Sequence, residues 1–251
     1  LVLAALFTFE LWSRLGIDPI LSVVITTPLM FGVGWVVYRL MISRIRNGPV
    51  SMSVVLTFAL AIAIEGAMGM IWKNVFRSVT PSYFNESFSI GALVLPKAQV
   101  YGCAAAVVVL IALYLLLSRT WTGRAIRSAA ENPQGAQLVG IDIRTVAALT
   151  FAIGTATTGA GGSIMSILYS VFPASLYLWI SRLLGIIVLG GMGSLPGAVI
   201  GALALGVAET LTSTYISNQW SSVVFYVVIL VVLLVRPQGL LGSRVRQDVV
   251  A

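Results

Sequence analysis

The sequence predicts an all-α fold: a polytopic bundle of transmembrane helices with short or broken helices and a cytoplasmic coupling-helix loop. Two features of composition support this, because 59% of the 251 residues are hydrophobic and only 9% are charged, whereas about a quarter of the residues in soluble domains are charged. Several apolar stretches also reach about 20 residues, the length that a helix needs to cross a bilayer. We interpret residues 1–251 as a single membrane domain.

Composition also argues against most kinds of catalytic site. The chain has no histidine, the commonest metal ligand and general base, and its one cysteine, Cys103, lies inside a predicted span. A phosphate-binding loop with its lysine is absent, so we do not expect the chain to hydrolyse ATP itself. The net charge of +7 comes from small clusters beside apolar spans and does not form a nucleic-acid-binding stripe. We therefore expect no enzyme activity, no catalytic residues, no cofactor and no metal.

The predicted spans follow one another from the N-terminus. Residues 1–12 are predicted to be the tail of a span, and since the chain begins inside an apolar run at Leu1, we expect it to be truncated there. Residues 13–19 form a predicted exterior turn and 73–97 a polar exterior loop. The predicted full spans are 20–40, 51–72, 99–118, 145–170, 177–193, 197–215 and 219–236.

Basic residues set the predicted orientation of these spans. The stretches assigned to the cytoplasm contain Arg39, Arg44, Arg46, Arg119, Arg124, Arg127, Arg144, Arg236, Arg244 and Arg246. Those assigned to the exterior contain Arg14, Lys73, Arg77, Lys97 and Arg182. Because loops on the cytoplasmic side carry an excess of Lys and Arg, this distribution predicts that residues 119–144 and the C-terminus are cytoplasmic.

The stretch 119–144 is the one long polar interruption in the second half of the chain. Its apolar residues recur at helical spacing: Trp121, Ala125, Ile126, Ala129 and Ala130. Asn132 is a predicted N-cap, Pro133 the first residue of a second short helix, and Gly140 its left-handed terminator. This helix–break–helix loop is interpreted as a docking element for a cytoplasmic partner. The alternative is a connector whose apolar face rests on lipid headgroups.

Short or broken helices in transporters often line cavities. The apolar segments after residue 176 are short and are separated by glycines, as expected of such helices. The span 177–193 is short and ends in the glycine-rich break GGMGSLPG, so Gly190, Gly191 and Gly193 are candidate residues of a translocation path. A tight cytoplasmic hairpin explains the same turn. We predict that 177–193 and 197–215 are both short and interrupted.

Small residues at three- and four-residue spacing indicate faces on which helices approach closely. They occur at Gly154, Thr158, Gly159, Gly162 and Ser163 in one span, and at Gly197 and Gly201 in another. We interpret both faces as scaffold.

Two acids, Glu65 and Glu209, lie well inside predicted spans, where a charge is costly and marks a candidate functional site. Arg182 enters the membrane from the same predicted side as Glu209, so the two side chains are predicted to form a structural ion pair. The alternative is that Glu209 contacts the ammonium group of a passing substrate. Glu65 has no evident cationic partner except Lys73.

Three sequence blocks resemble the permease subunit of a branched-chain amino acid ABC transporter of the LivH type. They are GRAIRSAAENPQGAQLVGIDIRTVAALTFAIG, VLGGMGSLPGAVIGALALGVAE and LLVRPQGLLG, in the family's order and spacing, and the resemblance runs from about Val50 to Gly242. We expect the family's first span and the loop that follows it to be missing from these residues. The resemblance implies a loop that seats on an ATPase, with an EAA-like pattern at Ala129, Ala130, Glu131 and Gly140, and we add Arg124 and Arg127 to this coupling loop.

The resemblance also implies a location in the bacterial inner membrane and a set of partners. These are two ABC ATPase subunits, a second homologous permease subunit, a periplasmic solute-binding protein and membrane lipid, with no nucleic acid. The implied substrates are branched-chain or other amino acids, with urea or short amides as alternatives. A stand-alone secondary transporter or channel that uses intramembrane carboxylates is the second hypothesis. The docking loop favours the ABC permease, since a self-sufficient transporter has little need of one.

Overall fold

The computed structural model describes residues 1–44, 50–90, 93–191, 193–236 and 238–242, and these fold into ten α-helices and one two-stranded hairpin. The helices are α1 (Val2–Leu15), α2 (Pro19–Leu40), α3 (Val50–Trp72), α4 (Lys97–Arg119), α5 (Trp121–Glu131), α6 (Pro133–Leu138), α7 (Ile143–Leu168), α8 (Leu176–Gly190), α9 (Leu195–Tyr215) and α10 (Asn218–Val235). The strands are β1 (Ser87–Ile90) and β2 (Leu93–Pro96). Arg46, Arg244 and Arg246, which support the predicted orientation, lie outside the described residues.

Among the residues that the structure describes, seven helical segments are long and apolar enough to cross a membrane, and each overlaps one of the seven full spans predicted from the sequence. The predicted fold class is therefore confirmed. Of the two helices predicted to be short and interrupted, α8 is short, with 15 residues, but it is continuous from Leu176 to Gly190. The prediction is wrong for α9, which is continuous over 21 residues. Pro196 does not break α9 because it lies in the first turn, where a missing N–H costs nothing.

Residues Leu1–Ser175 form one compact unit. Its centre is α7, which packs along α2 and α1. A Cβ added to Gly159 would lie 2.5 Å from Cγ of Met30 on α2, and one added to Gly162 would meet the carbonyl of Leu1. The predicted close-packing face is therefore correct at these positions, but it is wrong at Gly154, where nothing lies within 4 Å of an added Cβ.

Three hydroxyl groups join these helices inside the unit. Thr8 of α1 and Thr26 of α2 each contact the hydroxyl of Ser163 on α7, with O–O distances of 2.8 and 2.6 Å, and all three residues are fully buried. Each threonine hydroxyl also lies within hydrogen-bond distance of a carbonyl one turn earlier in its own helix. Every buried oxygen in the cluster is thus satisfied, as burial in an apolar interior requires.

One end of this unit gathers the segments that the sequence assigns to the exterior. Tyr83 donates to Asp18 at 3.1 Å, and burial together with the nearby Asp18 charge raises the pKa of Tyr83. Arg77 and Val171 exchange two backbone hydrogen bonds of 2.8 Å. The polar loop also contains the antiparallel pair β1 and β2, which the sequence did not predict.

The other end of this unit is where α2 ends and α7 begins. Arg39, Asp142 and Arg144 line one cavity there. Which end faces the cytoplasm stays a prediction.

Residues Leu176–Ala251 form the second unit, in which the described helices are α8, α9 and α10. Its buried centre consists of Leu189, Leu205 and Phe225, one from each helix. Gly201 lies against Leu189, where an added Cβ would come within 2.9 Å of its side chain. The small-residue face predicted for this span is therefore confirmed at Gly201.

Candidate functional site

The loop between α4 and α7 contains the two short helices that the sequence predicts. The hydroxyl of Thr120 caps α5 by accepting from the Gly123 amide at 3.1 Å. An added Cβ at Gly123 would meet the carbonyl oxygens of Leu116 and Leu117, so α5 lies directly against the end of α4. Arg127 donates to the Leu117 carbonyl as well. Helix α5 therefore contacts the end of α4 in two ways: the backbone at Gly123 packs against it, and the Arg127 side chain forms a hydrogen bond with it.

The second short helix begins and ends as predicted. Asn132 caps α6 by accepting from the Gly135 amide at 2.9 Å, and Pro133 is its first residue. Gly140 has φ +83°, which is the left-handed region, and its amide bonds the Gln137 carbonyl while the Ile141 amide bonds the Ala136 carbonyl, both at 3.0 Å. This is the Schellman arrangement, which satisfies the carbonyls at a helix end. The predicted helix termination at Gly140 is confirmed.

The apolar residues of the loop divide between two faces, whereas the sequence predicted one. Ala125 and Ala136 are 2% and 4% exposed and pack against the rest of the unit. Trp121, Leu138 and Val139 point outward, with exposed fractions of 66%, 89% and 77%. Of the assigned coupling residues, Ala129 is half-buried, and Arg124, Arg127, Ala130, Glu131 and Gly140 are exposed. The loop therefore presents large apolar side chains on a rigid support.

A further contact, not anticipated from the sequence, fixes the loop to α7. The Asp142 carboxylate accepts from the Arg144 amide at 3.0 Å and from the Thr145 hydroxyl at 2.6 Å, which makes Asp142 the N-cap of α7. The hydrogen bond from Thr145 and that from the Arg144 backbone lower the pKa of Asp142. The signal was available, because Asp followed by Ile-Arg-Thr at the start of an apolar helix is a typical N-cap pattern.

The glycine-rich break between α8 and α9 is held by the C-terminal segment. Gly191 and Gly193 have φ of +94° and +88°, and Met192 between them lies outside the described residues. The Leu240 amide donates to the Leu189 carbonyl at 2.8 Å, and the Leu241 amide donates to the Gly190 carbonyl at 3.1 Å. The carbonyls at the end of α8 thus receive partners from the chain after α10. Sequence reasoning identified both motifs and missed that they bind each other.

Glycine is required in this break by close backbone contacts. A Cβ at Gly190 would lie 2.6 Å from the backbone of Ala198, and one at Gly191 would meet the backbone of Gly242. Ser194 caps α9 by accepting from the Gly197 amide at 3.1 Å. In the described part of this unit, the break is a tight, internally bonded turn.

Arg182 and Glu209 form the ion pair that the sequence predicts. Their Nη2 and Oε1 atoms are 2.6 Å apart, and the two side chains are 23% and 24% exposed. The Arg182 guanidinium also lies over the rings of Trp179 and Phe225, at 5.6 and 5.9 Å from their centroids. The surrounding rings and the partner charge compensate Arg182 for partial removal from water.

Glu65 is half-buried on the face of α3 that also carries the buried residues Met68 and Trp72. None of the ion pairs among the described residues includes it. A third acid in an apolar helix, Glu10 of α1, was not among the candidate residues predicted from the sequence. Glu10 accepts from the Trp72 indole at 2.9 Å and pairs with Arg14 one turn on.

Comparisons with known proteins decide the family. The family model described as the permease component of the branched-chain amino acid transport system matches residues 2–233. The chain belongs to this permease family. The high-affinity branched-chain amino acid transport system permease protein LivH of Salmonella typhimurium is 32% identical over 216 residues, covering 83% of this chain and 70% of the relative. Its counterpart BraD of Pseudomonas aeruginosa is 28% identical over 253 residues, covering 95% and 81%.

A more distant relative widens the range of substrates among similar permeases. The fructose import permease protein FruG of Bifidobacterium longum is 26% identical over 174 residues, covering 63% of this chain and 46% of the relative. No solved structure matches the chain. The resemblance stated from the sequence motifs is therefore confirmed. This permease is a multi-pass membrane protein. Its family is a transport family and not an enzyme class.

Proposed function

We propose that the chain is the permease subunit of an ABC importer in the bacterial inner membrane, which moves small polar substrates inward on ATP hydrolysis by a partner subunit. Family membership supports the transport role. The observation that carries the coupling role is the pair of capped helices α5 and α6, which is attached to spanning helices at both ends. Its outward apolar residues, Trp121, Leu138 and Val139, provide the contact surface for an ATPase.

The proposed mechanism is mechanical transmission through this helix pair. Movement of the ATPase displaces α5, whose contacts through Gly123 and Arg127 transfer the displacement to the end of α4. The turn at Gly140 and the Asp142 cap transfer it to the beginning of α7. Because packed helices shift as rigid bodies, a small motion at the loop tilts both spans. In this proposal Arg124, Arg127, Ala129, Ala130, Glu131 and Gly140 serve coupling.

The proposed assembly contains two ATPase subunits, a second homologous permease subunit and a periplasmic solute-binding protein. Relatives named for branched-chain amino acid transport make these amino acids the first substrates to test, and the fructose permease relative makes a panel necessary. Other amino acids, urea and short amides belong in that panel. Glu65, Arg182, Gly190, Gly191, Gly193 and Glu209 are the proposed positions along the translocation path within the single membrane domain 1–251.

A stand-alone secondary transporter receives less support from the described residues. Such a transporter needs an acid that can load and release a proton or an ion within the membrane. Glu209 is engaged by Arg182, and Glu10 is engaged by Arg14 and Trp72. Replacement of Glu65 by Gln most directly separates the two functions, because a transporter coupled through this acid would lose its ion or proton coupling, whereas any transport that an ABC permease retains would still depend on ATP.

Topology labelling and copurification test the proposal. In a Cys103→Ala background, we expect Gln134→Cys in α6 to react with a membrane-impermeant maleimide only from the cytoplasmic side, and Asn85→Cys only from outside. Purification of the tagged chain from its own host should recover an ATPase and a solute-binding protein, whose bound ligand identifies the substrate. Labelling of both cysteines from one face would refute the topology, and reconstituted transport without an ATPase would refute the ABC assignment.

A further inference from the structure

A polar cavity of about 440 Å³ lies between the end of α2 and the beginning of α7. Its wall includes Arg39 and Ser43 on the α2 side, Arg144 on the α7 side, and the rings of Trp35 and Tyr38. The volume falls in the range of about 300–1,000 Å³ that is typical of small-molecule sites. Because α2 and α7 are both candidate membrane spans, we expect a cavity at their ends to lie near the lipid headgroups.

The charges on the wall favour an anion. Arg39 and Arg144 are exposed, and neither takes part in an ion pair within the described part of the chain. The wall has one acidic residue, Asp142, and both of its carboxylate oxygens are engaged in capping α7. Two guanidinium groups therefore face one carboxylate that is already hydrogen-bonded. Guanidinium groups bind phosphate oxygens through paired, charge-assisted hydrogen bonds.

The aromatic rings indicate which anion fits. Trp35 stacks on Phe31 with ring centroids 6.5 Å apart, and Tyr38 packs on Phe151 at 5.9 Å, so each ring has an aromatic neighbour beside the cavity. Tryptophan and tyrosine are enriched at the level of lipid headgroups, where one side of the ring is apolar and the other wet. A free phosphate would use the arginines alone, whereas a phospholipid would use the arginines and the rings together.

We propose that this cavity binds the phosphate headgroup of an anionic phospholipid, with Arg39 and Arg144 on the phosphate and Trp35 and Tyr38 beside the glycerol backbone. Basic pockets between spanning helices are known sites for anionic headgroups. A lipid held there would join the ends of α2 and α7 beside the α6–α7 turn. The inference goes beyond the proposed function, because it concerns lipid binding and holds whatever the substrate.

The test uses the purified full-length chain in a neutral detergent, titrated with short-chain phosphatidylglycerol or phosphatidylcholine and observed by native mass spectrometry. We expect Arg39→Gln with Arg144→Gln to weaken phosphatidylglycerol binding by roughly tenfold or more, since each basic residue near an anionic surface contributes about a factor of five. The matched control, Arg119→Gln with Arg236→Gln, removes the same charge from two exposed arginines outside the cavity and should change binding less than about twofold. Phosphatidylcholine binding should not distinguish the variants.

A second measurement does not depend on the arginine variants. In nanodiscs containing brominated phosphatidylglycerol, wild-type tryptophan fluorescence should be quenched by a larger fraction than that of Trp35→Phe. Equal loss of phosphatidylglycerol binding in both double variants, or equal quenching with and without Trp35, would overturn the proposal. Displacement of the lipid by millimolar inorganic phosphate would assign the cavity to a free anion. If Arg39→Gln with Arg144→Gln leaves phosphatidylglycerol binding unchanged but abolishes copurification of the ATPase, the cavity belongs to a protein partner and the proposal is wrong.

Discussion

Helices α4 and α7 are both long enough to cross a membrane, yet few residues of α4 are buried, whereas many residues of α7 are. The most apolar 18-residue window of α4 has a mean hydropathy of 2.6, and 6% of that window is buried inside the protein. The corresponding window of α7 has a mean hydropathy of only 1.2, yet 56% of it is buried. These are the extremes of the seven candidate spans in the described chain. A soluble protein would bury its most apolar helix. In a bilayer, lipid tails solvate apolar side chains, and helices associate through close packing and interhelical hydrogen bonds.

The two helices use different side chains for different contacts. Helix α7 contacts its neighbours through Gly159, Gly162 and the Ser163 hydroxyl. Helix α4 exposes large side chains along most of its length: Val107, Val108, Ile111, Tyr114 and Leu115. Such a surface is suited to lipid or to a second membrane subunit. Substitutions should therefore be costly where small residues meet and cheap where a span is exposed.

The largest expected effect comes from a pair of glycines two residues apart on α2. A Cβ at Gly34 would lie 2.8 Å from Cβ of Thr155 and 3.1 Å from the Ala152 backbone on α7, whereas nothing lies within 4 Å at Gly32. We expect Gly34→Val to destabilise the protein by about 2–3 kcal/mol through overpacking, and Gly32→Val by less than about 1 kcal/mol. The measurement is thermal unfolding in detergent. Equal unfolding midpoints for the two variants would contradict this packing of α2 on α7.

A smaller effect is expected where a charged pair joins two spans, α8 and α9. Glu209→Gln leaves Arg182 without its partner, and because both side chains are about a quarter exposed, the expected loss of stability is about 1–2 kcal/mol. The double variant with Arg182→Gln should recover part of that loss, because no unpaired charge remains. Folded yield and thermal unfolding provide the test. Normal stability with an altered substrate profile would make Glu209 a substrate-binding residue.

The smallest effect concerns the hydroxyl cluster. Ser163→Ala removes the link between Thr8 and Thr26, but both threonines retain carbonyl acceptors in their own helices, so the expected loss is about 0.6–1.7 kcal/mol. Thr158→Ala is the control, because its hydroxyl bonds the Gly154 carbonyl of its own helix. Chemical unfolding of the two variants should separate them. A larger loss from Thr158→Ala would show that helix-internal bonds outweigh the interhelical ones.

Local features of the fold could be predicted from the sequence. The spans follow from length and hydropathy, and the helix boundaries at Asn132, Pro133 and Gly140 follow from residues that act on their own backbone. The helical face of small residues was only partly correct, because periodicity gives a face and not its partner. Gly159 meets Met30, whereas Gly154 meets nothing described.

Features that join distant segments could not be predicted. The contact of Leu240 with Leu189 links positions about 50 residues apart, and no local pattern specifies it. The pairing of Glu10 with Trp72 depends on how α1 and α3 pack. The division of the loop into an inner face at Ala125 and an outer face at Trp121 depends on the end of α4, against which Gly123 lies.

The most direct test of the coupling role is ATP hydrolysis by the reconstituted transporter with variants of the α5–α6 loop. Gly140→Val forces a β-branched residue into φ +83°, at a cost of about 1–3 kcal/mol, and re-aims α6. Ala130→Glu places a charge on the exposed surface of α5 without altering a span. The controls are Gly154→Val, which changes Gly to Val at an open helical position, and Ala130→Ser.

We expect both loop variants to insert and fold, and to lose substrate-stimulated ATP hydrolysis or ATPase association, while both controls retain them. Full coupled transport by Gly140→Val and Ala130→Glu would show that residues 119–144 are only a connector, and would contradict the proposed coupling mechanism.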